Sequence, residues 1–415
     1  MALTSSVKKI ALSIFSVIAT IVILEIVLQV WAFFSPSMKY LLSSEQARMV
    51  KDPKLFVRPN PFHPEHDSKG FRNRYVPKEA CVVALGDSQT YGHKVQPHQA
   101  WPQQLEQLCG RIVYNMAYGG YGPVHSLVLF PEALALKPKI IIEALYFGND
   151  FFDAFSMVYY NRQFPELKSK DKAIVLAVKN AGKKKFEFGP ATHLGGQKVE
   201  KAPNFLDRLA IYGLIRASRR AYRIRYGMTD EDIYFASDWN RLKKDAQHKK
   251  GFWIFDGGKT KTIFASEGRD AALDMNDPRI AEGFRISQES LKMMNSEAKK
   301  NQVQFFVLLL PTKELVFSEN VAKSNQQPPA MYSDTIQKEK QLREIMIGYL
   351  DSAKIPVIDA LEPLREALDS GNQPYSISAD GHKNSAGHAV VAKTVLSVLQ
   401  KKMPDILRDC VLSAR

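Results

Sequence analysis

The sequence contains little cysteine, and the scarcity excludes several classes of protein. Only Cys81, Cys109 and Cys410 occur in 415 residues, so a scaffold held together mainly by disulfides is excluded. None of them forms a Cys-x-x-Cys pair, which removes zinc-ribbon and thioredoxin-type sites. No period of about 20–50 residues repeats, so a solenoid is not expected. The 45% hydrophobic and 24% charged residues are ordinary for a globular protein.

Acidic residues are also scarce relative to basic ones. The chain has 43 Asp and Glu against 57 Lys and Arg, a net charge of +14. Between residues 161 and 265, 23 basic residues face 11 acidic ones, a local surplus of 12. No zinc-finger spacing, ribonucleoprotein-type aromatic motif or basic-zipper heptad accompanies this surplus, so nucleic-acid binding is not expected. We predict a solvated basic insertion that faces anionic lipid or an anionic polymer.

One long apolar run, residues 10–34, contains only Glu25 and Gln29 as strongly polar residues. Its 25 residues exceed the roughly 20 that a helix needs to span a bilayer, and Trp31 lies near its far end. A cleaved signal peptide is disfavoured, because its apolar core is typically about 7–15 residues and no small-x-small cleavage site follows this run. We predict an uncleaved, single-pass membrane anchor.

The orientation of this anchor is not decided by its flanking charges, because lysines or arginines occur on both sides. A short tail before the span and a long domain after it are typical of a signal anchor whose domain is extracytoplasmic, here periplasmic. Glu25 is expected to pair with a partner or to lie near the exit interface. The alternative is a functional charge within the membrane.

Short apolar runs alternate with amphipathic stretches after residue 76. The apolar runs are 81–85, 112–116, 140–147, 303–310 and 355–359, and the amphipathic stretches are 98–109, 123–136, 285–301, 333–353 and 385–401. This alternation predicts an α/β fold, a three-layer sandwich with a central parallel sheet of about five strands. We divide the chain into a tail and anchor (1–34), a proline-containing linker (35–76) and an α/β domain (77–415). A basic insertion occupies about 151–284, with an amphipathic basic helix at 205–227.

Polar or glycine-rich clusters follow four of the predicted strands. They are 86–90, 115–122, 148–150 and 380–384. Because ligands of open parallel sheets bind at the carboxyl ends of the strands, we expect these clusters to meet.

Together the clusters contain the groups that nucleophilic catalysis requires. A serine hydroxyl is a weak nucleophile until a base removes its proton and a third group orients that base, and Ser88, His382 and Asp380 can fill these roles. The oxyanion needs fixed donors, for which the Ser88 amide, the Gly120 amide and the Asn149 side chain are candidates. This mechanism requires no metal or cofactor, and none is expected. Each cluster alone is also typical of a turn or a helix cap.

Three further histidines and two of the cysteines receive structural interpretations. His388 falls in the last predicted helix, and His93 and His125 are expected to have packing or surface roles, with lining of the site as the alternative. Cys81 begins the first strand and is interpreted as a small core residue. A bridge from Cys81 to Cys109 is the alternative in an oxidising compartment.

The four clusters resemble the blocks of the SGNH (GDSL-type) hydrolases. The matching segments are LGDSQTYG (85–92), YNMAYGGYGP (114–123), YFGND (146–150) and DGHKNSAGH (380–388). The resemblance covers about 77–150 and 285–400 and implies a flavodoxin-like fold with Ser88 as the nucleophile. It also implies Gly120 and Asn149 as oxyanion donors, with His382 and its acid in the last block.

The last block departs from the usual pattern of that family. The acid usually stands three residues before the histidine, but that position is Ala379, and Asp380 stands two before His382. The Asp-x-His spacing and the segment PTKE (311–314) resemble the alginate O-acetyltransferase-like branch. Two milder departures are Ala117 and Phe147, which occupy positions often held by glycine.

The function expected from these residues and this resemblance is that of a membrane-anchored serine esterase of SGNH type. Its substrate is expected to be an acylated small molecule or carbohydrate, with small O-acyl groups on an envelope component. The first alternative is an O-acyltransferase that passes the acyl group to a polysaccharide hydroxyl. The second is a non-catalytic protein that binds polysaccharide through the basic insertion.

Overall fold

The computed structural model describes residues 5–42, 48–182, 206, 209–225, 239–405 and 410. The strands in these ranges are β1 (Met49–Asp52), β2 (Phe56–Pro59), β3 (Val82–Gly86), β4 (Val113–Asn115), β5 (Ile140–Tyr146), β6 (Phe252–Asp256), β7 (Lys261–Ala265), β8 (Gln304–Leu310) and β9 (Val357–Asp359). The helices are α1 (Ser5–Phe34), α2 (Pro36–Leu42), α3 (Ser88–Tyr91), α4 (Trp101–Cys109), α5 (Pro123–Leu134), α6 (Asp150–Tyr159), α7 (Lys172–Ala181), α8 (Ala210–Arg225), α9 (Trp239–Gln247), α10 (Ser266–Ala272), α11 (Pro278–Lys300), α12 (Lys313–Ala322), α13 (Ala330–Ser352), α14 (Leu361–Asp369) and α15 (Ser385–Lys402).

The five predicted apolar runs form one parallel sheet, with the strand order β4-β3-β5-β8-β9. The register pairs Val83 with Ile141, and Ile142 with Phe306. The sheet prediction is therefore confirmed. In this order the chain reverses its direction across the sheet between β3 and β5, and such a switch point is where open α/β sheets bind ligands.

Apolar clusters lie on both faces of this sheet, because successive strand side chains point to opposite sides. Val83 and Ile141 belong to the cluster that contains the α5, α6, α11 and α13 side chains. Val82 and Ile142 belong to the cluster on the other face, formed with α4, α12, α14 and α15. Helices therefore cover the sheet on both sides, as the predicted three-layer sandwich requires.

Residues 48–76 lie against the α/β domain. β1 and β2 form an antiparallel hairpin, and Leu55, Val57 and Phe71 are buried in the core. The guanidinium of Arg72 is also buried and donates to the main-chain carbonyls of Gly92 and Val95, which follow α3. This part of the predicted linker thus supports the segment next to the first block.

The stretch 151–284 contributes to the core at both of its ends. An ideal Cβ on Gly283 would lie 1.9 Å from the Phe151 carbonyl oxygen, so α11 and α6 cross in direct backbone contact. The β6–β7 hairpin buries Phe255 and Phe264 in the apolar cluster that also contains side chains of α4, α12, α14 and α15. The amphipathic helix expected at 205–227 corresponds to α8, and residues 205, 207, 208, 226 and 227 lie outside the described residues.

Among the described residues, one helix, Val7–Phe34, is long and apolar enough to cross a membrane. Within it, the Glu25 carboxylate accepts hydrogen bonds from the amides of Ala210 (2.7 Å) and Ile211 (3.0 Å), the first two residues of α8. Leu28, Leu42 and Ala210 form a small apolar cluster beside this contact. The partner of Glu25 is therefore the start of a helix.

The cysteine pairing differs from the alternative considered for the sequence. Cys81 is fully buried at the start of β3, as expected of a core residue, but it forms a disulfide with Cys410, and Cys109 is free. The Cys81–Cys109 bridge is therefore wrong. The Cys109 thiol at the end of α4 instead lies close to the carbonyls of Glu106 and Arg111.

Candidate active site

Ser88 is placed by a tight turn between β3 and α3. Gly86 has φ +141°, and a Cβ there would lie 2.9 Å from the Ala144 carbonyl oxygen on the neighbouring strand, so the turn requires glycine. The Asp87 side chain accepts a hydrogen bond from the Gln89 amide (2.8 Å) and caps α3. Ser88 is partly exposed, whereas Asp87 and Gln89 are buried. The turn therefore presents this one hydroxyl to solvent.

The structure brings Ser88, His382 and Asp380 together across 294 residues of sequence. His382 Nε2 lies 2.8 Å from Ser88 Oγ, and His382 Nδ1 lies 2.7 Å from Asp380 Oδ1. Both are hydrogen-bond distances. In this geometry the imidazole can take a proton at Nε2 while the carboxylate accepts from Nδ1–H and fixes the tautomer.

The two-residue spacing of Asp380 and His382 closes a compact loop. Asp380 Oδ1 accepts from the His382 main-chain amide (2.8 Å) as well as from Nδ1. Burial favours the neutral carboxyl, but the nearby charge of His382 and these two hydrogen bonds hold the pKa of Asp380 far below its usual range. Asp380 is therefore an ionised acceptor for the imidazole.

Gln89, the residue after Ser88, holds the loop that carries His382. Its Nε2 donates to the Gly381 carbonyl (3.2 Å), and its Oε1 accepts from Lys383 Nζ (3.1 Å). Lys383 is completely buried, and burial lowers the pKa of this amine to about 7. The loop is thus bonded directly to α3 on both sides of His382.

Lys313, in the PTKE segment, forms hydrogen bonds to the same loop. Its buried Nζ donates to the carbonyls of Ile263 (2.8 Å), Ser378 (2.8 Å) and Asp380 (3.1 Å), and to Thr262 Oγ1 (3.2 Å). Burial lowers the pKa of Lys313 to about 8. One ammonium therefore joins the β6–β7 hairpin to the loop that carries Asp380.

The second block forms a turn beside the serine. Tyr121 N donates to the Tyr118 carbonyl (3.1 Å), and Gly120 within the turn has φ +80°, a conformation that favours glycine. A Cβ on Gly119 would lie 3.8 Å from Ser88 Cβ. The Ser88 amide, at the first position of α3, has no partner within its own helix. The turn and the start of α3 therefore lie side by side.

Asn149 is buried and engaged. Its Nδ2 donates to Asp150 Oδ1 (3.2 Å) and to Asp153 Oδ2 (2.7 Å). Burial raises the pKa of both carboxyl groups well above their usual range. For Asn149 to donate to an oxyanion, one of these two hydrogen bonds must be exchanged, so its oxyanion role stays a prediction.

Three other histidines of the chain, His93, His125 and His388, occupy different environments. The His93 ring lies 4.9 Å from the His382 ring, so His93 lines the site, and burial together with the charge of His382 lowers its pKa to about 3. His125 is buried, stacks on Tyr121 and accepts from the Gly122 amide. His388 is buried in α15, and its Nδ1 accepts from the Trp101 amide.

Arg269, in α10, reaches the site from the stretch 151–284. Its Nη1 donates to the Gly148 carbonyl (3.0 Å), and a Cβ on Gly381 would lie 2.7 Å from its Nη2. Its guanidinium carbon lies 5.3 Å from the centre of the Tyr146 ring. The guanidinium is therefore wedged between the third and fourth blocks.

Sequence analysis did not identify Gln89, Lys313, Lys383 and Arg269 as parts of the site. Gln89 and Lys383 stand next to Ser88 and His382 in the quoted blocks, so adjacency was the available signal. Lys313 lies in the PTKE segment, whose resemblance to the acetyltransferase-like branch implies no particular role for the lysine. Arg269 lies in the stretch outside the resemblance, and no signal pointed to it.

No protein-family model matches the chain, and no curated protein matches it. The chain is similar to the solved structure of a GDSL-like lipase from Bacteroides thetaiotaomicron, with 11% identity, coverage of 79% of this chain and 91% of that chain, and a TM-score of 0.32. A lipolytic protein of the G-D-S-L family from Desulfitobacterium hafniense gives 14% identity, coverage of 77% and 98%, and a TM-score of 0.34.

A carbohydrate esterase family 2 enzyme with a carbohydrate-binding domain, from Corynascus thermopiles (Myceliophthora fergusii), gives 10% identity, coverage of 79% and 68%, and a TM-score of 0.32. At these identities and scores the likenesses assign no chemistry to this chain.

Proposed function

We propose that the chain is a membrane-anchored serine esterase of SGNH type that hydrolyses O-acyl esters. The observation that carries the proposal is the hydrogen-bonded series Ser88–His382–Asp380 at the carboxyl ends of the parallel strands. A small acyl group on an envelope carbohydrate is the substrate that the SGNH resemblance favours.

In the proposed reaction Ser88 Oγ attacks the ester carbonyl while its proton passes to His382 Nε2. Asp380 accepts from Nδ1–H and stabilises the imidazolium that forms. When the tetrahedral intermediate collapses, the imidazolium protonates the departing alkoxide and leaves an acyl-serine. Water then attacks the acyl carbon and gives a proton to His382 Nε2. As the second tetrahedral intermediate collapses, His382 returns this proton to Ser88 Oγ, and the carboxylic acid leaves.

The oxyanion of each tetrahedral intermediate needs donors that are fixed beforehand. The Ser88 amide and the Gly120 amide are proposed as these donors, since the 118–121 turn lies against Ser88. Asn149 is proposed as the third donor, after exchange of its hydrogen bond to Asp150 or Asp153.

The location proposed for this reaction is the extracytoplasmic side of the membrane, the periplasm. The apolar helix Val7–Phe34 supports the anchor. The Cys81–Cys410 disulfide supports an oxidising compartment, because such bonds are rare in cytosolic proteins.

An O-acyltransferase is the second candidate, in which a sugar hydroxyl replaces water in the second half of the reaction. The observation that favours it is the role of Lys313, because the PTKE lysine bonds to the Asp380 carbonyl of the Asp-x-His loop. Both sequence features of the acetyltransferase-like branch therefore meet at one place. A non-catalytic protein that holds anionic polymer or lipid through the basic insertion is disfavoured by the assembled triad.

The test uses the full-length protein in detergent with 4-nitrophenyl acetate, butyrate and octanoate, and with a fluorophosphonate probe that labels activated serines. Ester hydrolysis and labelling are expected for the wild type and are expected to be lost in Ser88→Ala. Ser370→Ala is the matched control, because Ser370 is exposed at the end of α14.

An alginate- or chito-oligosaccharide is added to separate the two catalytic functions. Acyl release that is unaffected by the acceptor supports the esterase, and acylated oligosaccharide found by mass spectrometry supports the transferase. If wild type and Ser88→Ala are equally inert and unlabelled, and the wild type retains anionic polymer, the binding protein replaces both.

A further inference from the structure

Arg269 contacts main-chain atoms on both sides of the candidate active site. The carbonyl that accepts its Nη1–H belongs to Gly148, the residue before Asn149. On the other side, Gly381 lies between Asp380 and His382, and a side chain there would collide with Nη2. The absence of a Cβ at position 381 therefore makes the space that this guanidinium occupies.

The position of Arg269 is fixed by its surroundings. Its guanidinium stacks near the Tyr146 ring, at 5.3 Å from the ring centre. The next residue, Asp270, accepts a hydrogen bond from Lys338 Nζ (2.8 Å), which ties α10 to α13. The cation is thus held in place before any ligand arrives.

Arg269 forms no salt bridge within the part of the chain that the structure describes, and the carboxylates of Glu314 and Asp380 act on its charge only from a greater distance. Gly148 O is its hydrogen-bond acceptor there, and no carboxylate lies within ion-pair distance. By contrast, two arginines of the next helix have such partners: Arg279 pairs with Asp277 at 2.6 Å, and Arg285 pairs with Glu282 at 2.7 Å.

A guanidinium has five N–H donors, and Arg269 uses one of them in the hydrogen bond to the Gly148 carbonyl. The side chain is only partly exposed, so water does not fully solvate its charge. Two N–H groups in the plane of a guanidinium match the two oxygens of a carboxylate. The site therefore offers a fixed fork for a planar anion beside the loop that carries Asp380 and His382.

We propose that Arg269 is a specificity-determining residue that binds a carboxylate carried by the substrate of Ser88. The ester preferred by the site is then an acidic compound. This inference rests on the proposed function, because it assigns the substrate class of the same site.

The test compares pairs of esters that differ in charge but hardly in shape. In one pair the charge is on the alcohol part, 4-acetoxybenzoate against 4-acetoxybenzamide. In the other it is on the acyl part, 4-nitrophenyl monoadipate against its methyl ester. We expect the full-length wild-type protein in detergent to prefer the acidic member of at least one pair by about tenfold or more in kcat/KM.

Arg269→Gln is expected to abolish this preference, so that the ratio of kcat/KM for the acidic and the neutral member of the pair falls to about one whatever the overall rate. Arg269→Lys is expected to keep part of the preference, because a lysine ammonium carries the charge without the fork. Arg285→Gln is the control and is expected to keep the whole preference, since Arg285 pairs with Glu282 on a helix away from the loop.

Each outcome separates this inference from the proposed function. Serine-dependent hydrolysis without preference in either pair overturns the role of Arg269 and leaves the esterase intact. A preference that survives in Arg269→Gln also overturns it. If Arg269→Gln does not fold, an unchanged preference in Arg269→Lys overturns the fork. If no ester is hydrolysed and Ser88 is not labelled by the fluorophosphonate, the proposed function fails and this inference fails with it.

Discussion

Lys313 Nζ donates a hydrogen bond to the main-chain carbonyl of Asp380 at a distance of 3.1 Å. The same ammonium bonds to the Ser378 and Ile263 carbonyls, so it fixes the backbone on which the Asp380 carboxylate depends. Lys313 touches neither Ser88 nor His382 and is a positioning residue. Its effect on the reaction must pass through the shape of the 378–382 loop.

We expect Lys313→Met to lower kcat by about tenfold or more with little change in KM, because a displaced loop misorients His382. Unfolding should also become easier by about 1–3 kcal/mol, since buried carbonyls lose their donor. Hydrogen exchange of the 378–383 amides should become faster. Lys323→Met is the control, because Lys323 is exposed and pairs only loosely with Asp369 at 3.7 Å. Unchanged exchange and kcat in Lys313→Met would contradict this role.

Asp380→Asn tests the acid that the two-residue spacing left uncertain. The amide keeps the shape but cannot stabilise the imidazolium, and it can hold the ring in the wrong tautomer. The expected loss in kcat/KM is about 10²–10⁴-fold, and fluorophosphonate labelling of Ser88 should slow in parallel. Asp369→Asn, at the exposed end of α14, serves as the control. Equal labelling rates in Asp380→Asn and wild type would exclude Asp380 as the third member.

Glu143 gives the fold a pH dependence. This side chain is completely buried in β5, and burial raises its pKa to about 8. A folded-state pKa above the unfolded value of about 4.5 means that folding favours the protonated acid. Its contribution to stability is therefore full at low pH and declines as the pH rises from about 4.5 to about 8. At pH 7 the loss is on the order of 3 kcal/mol.

Glu143→Gln removes this titration and leaves the other buried acids in place. The difference in unfolding free energy, variant minus wild type, should increase between pH 5 and pH 8 in denaturant titrations. Glu79→Gln, at an exposed ion pair with Lys137, should show no such increase. A difference that is constant with pH for Glu143→Gln would mean that Glu143 does not titrate in this range.

Because Cys81 pairs with Cys410 and Cys109 is free, the three cysteines should differ in their effect on stability and in their reactivity. Cys410→Ser is expected to lower the free energy of unfolding by about 2–5 kcal/mol, because the bridge restricts the unfolded chain. Cys109→Ser should have little effect, since that thiol is free at the end of α4. Without reductant, alkylation followed by mass spectrometry should modify Cys109 alone. Modification of Cys81 in the native, unreduced protein would contradict the pairing.

The sheet could be predicted because its information is local. Runs such as 140–147 and 303–310 are apolar except for Glu143 and Gln304, and this pattern is typical of parallel strands covered on both faces. Ser88 could be selected for a related reason, since polar residues directly after such strands meet at one edge of the sheet. His382 follows β9 only after α14, so its position relative to a strand is a weaker signal.

The supports of the site could not be predicted in that way. Lys313 and Arg269 act through main-chain carbonyls that are distant in sequence, and a carbonyl leaves no trace in the residue types. The partner of Cys81 lies beyond the last predicted helix, where no periodic pattern placed the chain. Tertiary contacts of this kind appear only when the whole chain is folded.

The contact between Glu25 and α8 joins the apolar helix α1 to the stretch 151–284. A fragment that begins after residue 40 loses the carboxylate that accepts from the Ala210 and Ile211 amides. Those amides then lose their acceptor within the protein, and the first turn of α8 loses its N-terminal cap. Cleavage of the chain after α1 would thus alter a helix that lies far away in the sequence.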